Sequence, residues 1–247
     1  MRVLLLTHYF EPENGPSQRR WSALIERFVA AGHIVDVVAP PPHNRTGKID
    51  PDAPAAALRG RTAVGSHGGT VHRVSFLQHT GGVASRTLDH LWVARGSVRA
   101  VRRLVRDGRL NPDIVVATAP ALPSLIAGRT VARMLHIPLV VEMRDAWPDL
   151  VSHTPGLTRG KRVVTRLKRR VHEFVTALQR SAALVVTTTE TFARVLRERD
   201  VATVAVIRNG TSLRRYAGIP PTEHGHDELR VLYMGTIGAL LTYLWAR

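Results

Sequence analysis

Residues 142–149 read Glu-Met-Arg-Asp-Ala-Trp-Pro-Asp and close a run, Leu139–Val141, that is otherwise apolar. Carboxylates and an arginine at the end of a buried strand need partners or a ligand. Arg144 and Asp145 are candidates to position a sugar hydroxyl and a phosphate, with Trp147 stacking on a ring. The alternative is a structural Arg144–Asp145 pair with Trp147 in the core. Three more segments carry polar groups of the same kind. In Glu13-Asn14-Gly15-Pro16 a glycine before a helix lets the backbone come close to a ligand, and the free N–H groups there attract phosphate; a plain strand-to-helix turn is the other reading. Thr187-Thr188-Thr189-Glu190 can cap a helix, and Arg208-Asn209-Gly210 can close a turn. Neither G-x-G-x-x-G nor G-x-x-x-x-G-K-[ST] occurs, which removes most support from a dinucleotide or P-loop site. There are no cysteines, so thiolate nucleophiles, thiolate metal sites and disulfides are excluded.

The elements that must position these residues follow from apolar runs and their punctuation. Residues 2–7, 34–39, 70–76, 113–118, 139–143, 184–188 and 203–207 are short apolar runs that read as buried parallel strands. Helices are expected over 17–31, 85–107, 122–135, 160–179 and 190–198, the first capped by Ser17 and stopped by Gly32. Residues 40–69 are rich in Pro, Gly, Ala and Arg and read as a surface excursion. Strand and helix alternate, so the fold class is α/β, a Rossmann-like doubly wound parallel sheet. Ligands of such sheets sit outside the carboxyl ends of the strands, which points to the loops at 8–16, 118–121, 144–150, 188–190 and 208–211.

These pieces, in this order, resemble the N-terminal domain of glycosyltransferase family 4, the retaining GT-B enzymes. The resemblance rests on Phe10-Glu11-Pro12-Glu13-Asn14-Gly15 and on Ala31-Gly32-His33 before Val35-Asp36-Val37-Val38. It rests also on Val140 through Pro148, Val185 through Glu190, and Ile207-Arg208-Asn209-Gly210. The Arg-Asp-x-Trp-Pro segment is similar to the branch that builds cell-surface polysaccharides. The resemblance implies an acceptor-side domain facing a nucleotide-sugar domain across a cleft, with transfer of a hexosyl-type group to a glycan or lipid-linked acceptor. It implies retention without a metal or other cofactor, Arg144 and Asp145 beside the transferred sugar, and Gly15 near the donor diphosphate. Asn14, Trp147, Glu190, Arg208, Asn209 and Gly210 complete the expected substrate contacts.

Two departures from that family stand out. Asn209-Gly210-Thr211-Ser212 replaces the family's Asn-Gly-Val-Asp, and no charged residue lies between Arg230 and Arg247. Residues 1–213 are therefore expected to form the acceptor-side domain and 214–228 a linker. Residues 229–247 read as the start of a truncated donor domain, leaving little activity to this chain alone unless a separately encoded domain joins it.

A hydrophobic fraction of 44% is ample for a core and excludes disorder, while the formal charge of +16 calls for a partner or a compositional cause. Lys48, Lys161 and Lys168 are the only lysines, so the charge is almost wholly arginine. Residues 160–180 place Lys161, Arg162, Arg166, Arg169 and Arg170 beside a stripe of Val163, Val164, Leu167, Val171, Phe174, Val175 and Leu178. The stripe is expected to pack on the sheet and the basic face to meet an anionic membrane. With no apolar run long enough to span a bilayer, a cytoplasmic protein peripheral to the inner membrane face is expected. The alternative class is a non-enzymatic basic module for nucleic acid or anionic membrane. Aromatics are only 5% and do not interleave with the arginines, so no specific nucleic-acid partner is expected. A dehydrogenase ranks third, lacking the glycine fingerprint.

Overall fold

A strand with apolar residues on both faces needs helices on both sides, and that requirement shapes the fold. The computed structural model describes residues 1–43, 47–80, 82–145, 162–210 and 217–219. The strands are β1 (Arg2–Leu6), β2 (Ile34–Ala39), β3 (Thr62–Val64), β4 (Thr70–Arg73), β5 (Ile114–Thr118), β6 (Leu139–Met143), β7 (Leu184–Thr187) and β8 (Val204–Val206). The helices are α1 (Pro16–Ala30), α2 (Val83–Arg106), α3 (Leu122–Leu135), α4 (Arg162–Arg180) and α5 (Glu190–Glu198). The sheet order is β3-β4-β2-β1-β5-β6-β7-β8, parallel except for β3 against β4. The chain runs outward from β1 to β4, then returns to start again at β5. The switch point therefore lies between β1 and β5, where Leu6 pairs with Ala117.

Alternation along each strand divides the core between the two faces. Val3, Leu5, Val37, Val116, Val140 and Val186 pack with Trp21 and Ile25 of α1. Leu4, Leu6, Val115, Val141 and Met143 pack on the other face with Val101 of α2, Leu125 of α3, Leu178 of α4 and Leu196 of α5. Gly128 of α3 allows the closest approach of helix to sheet, since a Cβ there would stand 2.5 Å from the Cβ of Ala117. Gly32 stops α1 with φ +78°, which a glycine adopts at no steric cost.

Two sequence expectations are corrected here. Ser17 does not cap α1: the helix begins at Pro16 behind Gly15, with no side-chain cap, because proline suits the first helical position. Residues 40–69 are not a plain surface excursion. They carry the short helix Ala55–Ala57 and the edge strand β3, and Pro40–His43 are buried. The remaining elements stand within a few residues of expectation. The expected linker and donor-domain start, 214–228 and 229–247, lie outside the described residues except for 217–219.

Candidate functional site

Every loop leaving the carboxyl edge of the inner strands carries a polar side chain, and the register sets them side by side. Thr118 pairs with Glu142, Glu142 with Val186, and Met143 with Thr187. At the switch point the Thr118 hydroxyl donates to Thr7 Oγ1 at 3.1 Å, and that hydroxyl donates to the Tyr9 carbonyl at 3.1 Å. In a doubly wound sheet the ligand crevice lies at this edge, which the loops after β1, β5 and β7 share with Arg144 and Asp145.

Glu142 is the hub of one wall. It is 2% exposed, and both carboxylate oxygens are taken: Arg20 Nε donates to Oε1 at 2.7 Å and Trp21 Nε1 donates to Oε2 at 2.8 Å. Arg20 and Trp21 belong to α1, so a single carboxylate locks that helix to β6. The Arg20 Nη1 group goes on to donate to the Arg208 carbonyl at 3.0 Å and to Asn209 Oδ1 at 3.2 Å. The segment after β8 is thereby tied to the same hub. A buried carboxylate with two donors and a guanidinium partner is a compensated charge.

Arg144 follows one residue beyond β6. Its Nε and Nη2 both donate to the Ala119 carbonyl, at 3.1 and 2.6 Å, and Nε lies 3.8 Å from Glu142 Oε2. Burial lowers its pKa, opposed by Glu142 and Asp145. Its backbone carbonyl accepts from the Thr188 hydroxyl at 3.2 Å, binding the β6 and β7 loops together. Asp145 is exposed at the edge of the crevice. The alternative reading, a structural Arg144–Asp145 pair, does not hold: Arg144 makes its contacts to Ala119 and Glu142.

The remaining expected residues take mixed positions. Asn14 is exposed and its Oδ1 accepts from Arg19 Nε at 2.8 Å; Gly15 is the N-cap of α1. Glu190 opens α5 at the same edge, but its carboxylate accepts from Arg197 at 2.6 Å on the surface. Thr189 is the cap, its hydroxyl accepting the Phe192 N–H at 3.3 Å. Asn209 serves Arg20, and Gly210 is exposed beside it. Trp147 and Lys161 lie outside the described residues, as does the side chain of Arg162.

Sequence reasoning missed Glu142 as an anchor, together with Arg20 and Trp21. The signal for Glu142 was present, a carboxylate inside an apolar strand. Also missed was a second buried cluster behind the β1 loop, built from His8, His43, Asp89 and His90. His8 Nε2 lies 3.0 Å from Asp89 Oδ2 and 3.2 Å from His43 Nε2. The His90 ring packs on His8 with centroids 4.3 Å apart, and Tyr9 stacks on His43 at 5.6 Å. Burial lowers the pKa of His8 and His43 and brings His90 down to about 3, while burial raises that of Asp89.

Comparison with known proteins gives the family and the fold. Residues 15–210 match the family described as "Glycosyl transferase 4-like domain". No curated protein matches the chain in sequence. Among solved structures, a sucrose-phosphate synthase from Thermosynechococcus elongatus superposes with TM-score 0.50 at 15% identity, over 88% of this chain and 93% of that one. A UGT transferase from Siraitia grosvenorii, in complex with UDP, superposes with TM-score 0.50 at 11% identity, over 88% of this chain and 54% of that one. MurG of Acinetobacter baumannii aligns at 14% identity and TM-score 0.39, over 90% of this chain and 50% of that one. The chain thus spans about half the length of the last two. The fold is that of GT-B glycosyltransferases, and by its match over residues 15–210 the chain belongs to the glycosyl transferase 4-like family.

Proposed function

We propose that residues 1–210 form the acceptor-side wall of a retaining, nucleotide-sugar-dependent glycosyltransferase. The observation that carries this reading is the placement of Arg144 and Asp145 at the sheet edge beside the β1/β5 switch point, Arg144 clamped to the Ala119 carbonyl and Asp145 exposed. In this reading an acceptor hydroxyl and a transferred sugar meet there, beside Arg144 and Asp145. Arg144 presents positive charge to the sugar–diphosphate bond as it breaks, and Asp145 orients a sugar hydroxyl. The N-terminus of α1, opened by Gly15 with no acidic residue in its first turn, favours the leaving diphosphate, and no metal is needed there. Asn14, Glu190 and the 208–210 segment line the substrate path. The nucleotide is held by a second domain, as the greater length of the UDP-bound plant transferase suggests.

The acceptor in this reading is a lipid-linked glycan of the kind used to build polysaccharide. Val171 and Phe174 of α4 are exposed, Phe174 at 47%, among the exposed Arg166, Arg169 and Arg170. The expected stripe is therefore split: Val175 and Leu178 pack inward, while Val171 and Phe174 remain available to a bilayer interface. No helix of the described residues is long and apolar enough to cross a membrane, so contact would be peripheral.

The test is donor and acceptor binding by the full chain, followed by transfer assays with and without a supplied donor domain. Acceptor binding that weakens in Arg144→Ala and Asp145→Ala, with sugar transfer restored by a donor domain, supports the reading. Acceptor binding and transfer indifferent to both substitutions would overturn it. Sedimentation with anionic and with zwitterionic vesicles tests the membrane contact separately. Equal binding to both, or none to either, removes that part.

A further inference from the structure

The cluster behind the β1 loop has more acceptors than it has protons to share. His43 Nδ1 lies 2.7 Å from the Pro41 carbonyl, which can only accept, so the ring proton is on Nδ1 and Nε2 presents a lone pair. Asp89 Oδ1 accepts the Leu77 N–H at 2.9 Å, and its Oδ2 faces His8. If His8 carries its proton on Nε2, that N–H serves either Asp89 or His43 and leaves the other unpaired. His8 Nδ1, which is buried with no hydrogen-bond partner, is then a bare acceptor. In the other tautomer Nδ1–H is an orphaned donor, and three lone pairs face one another. Neither arrangement satisfies the site, although His8, His43 and Asp89 are only 2%, 3% and 0% exposed.

A divalent cation at the shared point gives the three facing lone pairs, on His8 Nε2, His43 Nε2 and Asp89 Oδ2, a common partner, with the His8 proton on Nδ1. Bonds of about 2.0–2.1 Å at tetrahedral angles place neighbouring ligand atoms roughly 3.3 Å apart. Two of the separations here, 3.0 and 3.2 Å, match that spacing; the third, His43 to Asp89, is wider but within 4.8 Å, so an ion at the shared point would draw these two groups together. Two imidazoles and one carboxylate suit zinc and its neighbours rather than magnesium or calcium, which prefer oxygen throughout. Two of the three ligands have outer contacts of the usual kind: the His43 Nδ1–H is held by a backbone carbonyl and Asp89 Oδ1 by a backbone N–H, while His8 Nδ1 has none.

We propose that His8, His43 and Asp89 bind one zinc-class divalent cation. The ion joins the end of β1, the segment after β2 and helix α2, three stretches far apart in sequence, and fixes the wall beneath Tyr9. It departs from the expectation of no metal, and it stands or falls independently of the glycosyltransferase reading, since it needs no substrate.

The experiment uses the full chain, stripped with chelator and then titrated with Co²⁺ and with Zn²⁺. The expected result is one equivalent of either ion, visible four-coordinate ligand-field bands for cobalt that zinc abolishes, and a rise in Tm. His43→Ala and Asp89→Asn are expected to weaken binding by more than the ~10–100-fold typical of losing an outer-shell support. His136→Asn, at an exposed histidine outside the cluster, should bind as wild type. Binding that survives the ligand substitutions overturns the proposal. Should those variants not fold, the wild-type cobalt spectrum decides: weak six-coordinate bands, or no bands from a folded chain, overturn it too.

Discussion

Glu142 and His8 stand at the carboxyl ends of two inner strands, each 2% exposed, and the sheet gives them the same burial for opposite ends. Around Glu142 both acceptor oxygens meet a donor, from Arg20 and from Trp21, and Arg144 adds a further positive charge at 3.8 Å; the one buried group there without a partner is a donor, Arg20 Nη2. Around His8 the acceptors outnumber the donors, and Nδ1 is left with no partner. A buried acceptor whose lone pairs all meet donors can only position other groups. Buried acceptors left facing one another need something more to be stable. The first therefore reads as scaffold and the second as a binding site, although both look alike in a list of buried polar residues.

The comparison breaks first at the scaffold. Glu142→Ala leaves the Arg20 guanidinium buried without its counter-charge, and removal of one partner of such a pair costs about 3–5 kcal/mol. Glu142→Gln keeps the shape but turns an amide N–H₂ towards one of two donors, so it should recover little of this loss. The double variant Arg20→Met, Glu142→Met should recover most of it, since an apolar pair of similar volume is often neutral. Urea denaturation of the four proteins measures all three. If Glu142→Ala unfolds like wild type, the carboxylate is not the anchor described here. Trp21→Phe comes next, taking one N–H from a charged acceptor while the ring's packing persists. A hydrogen bond to a charged group contributes about 1.5–3 kcal/mol, and the same denaturation curve reads it. Thr189→Ala removes a single cap and should cost about 1 kcal/mol, the usual value of an N-cap hydroxyl.

The strands were legible because each is an apolar run too short to be a helix, bounded by polar residues or turns. Residues 40–69 were not, because β3 is only Thr62-Ala63-Val64 and shows no run of its own. It exists by pairing antiparallel to β4, a tertiary fact. The burial of Pro40–His43 was hidden for the same reason, since His43 is buried against His8 and Phe76, remote in sequence. In the site, the depth of Glu142 could be read from Leu139, Val140 and Val141 before it. Its partner could not, because Arg20 is 122 positions away and looks like any other arginine of a helix rich in them. The sequence left open whether Asp145 answers Arg144, its neighbour in the chain, or faces a ligand with it. The strand's geometry instead turns Arg144 inward to the Ala119 carbonyl and leaves Asp145 exposed.

Glu190 sharpens the comparison from the exposed side, and there the smallest effect is the most informative. It lies at the same strand edge as Glu142, yet its partner Arg197 is a surface side chain and both groups are well exposed. Exposed ion pairs contribute about 0–1 kcal/mol, so Glu190→Ala should unfold within roughly 0.5 kcal/mol of wild type. Its place at the start of α5, beside the crevice, makes it an expected substrate contact. Transfer measured with a supplied donor domain should then fall in Glu190→Ala while stability holds, the reverse of Trp21→Phe, whose loss is chiefly of stability. Should Glu190→Ala keep full transfer, the exposed carboxylate is only the first-turn acid of α5. The substrate path would then run closer to Arg144 than to β7.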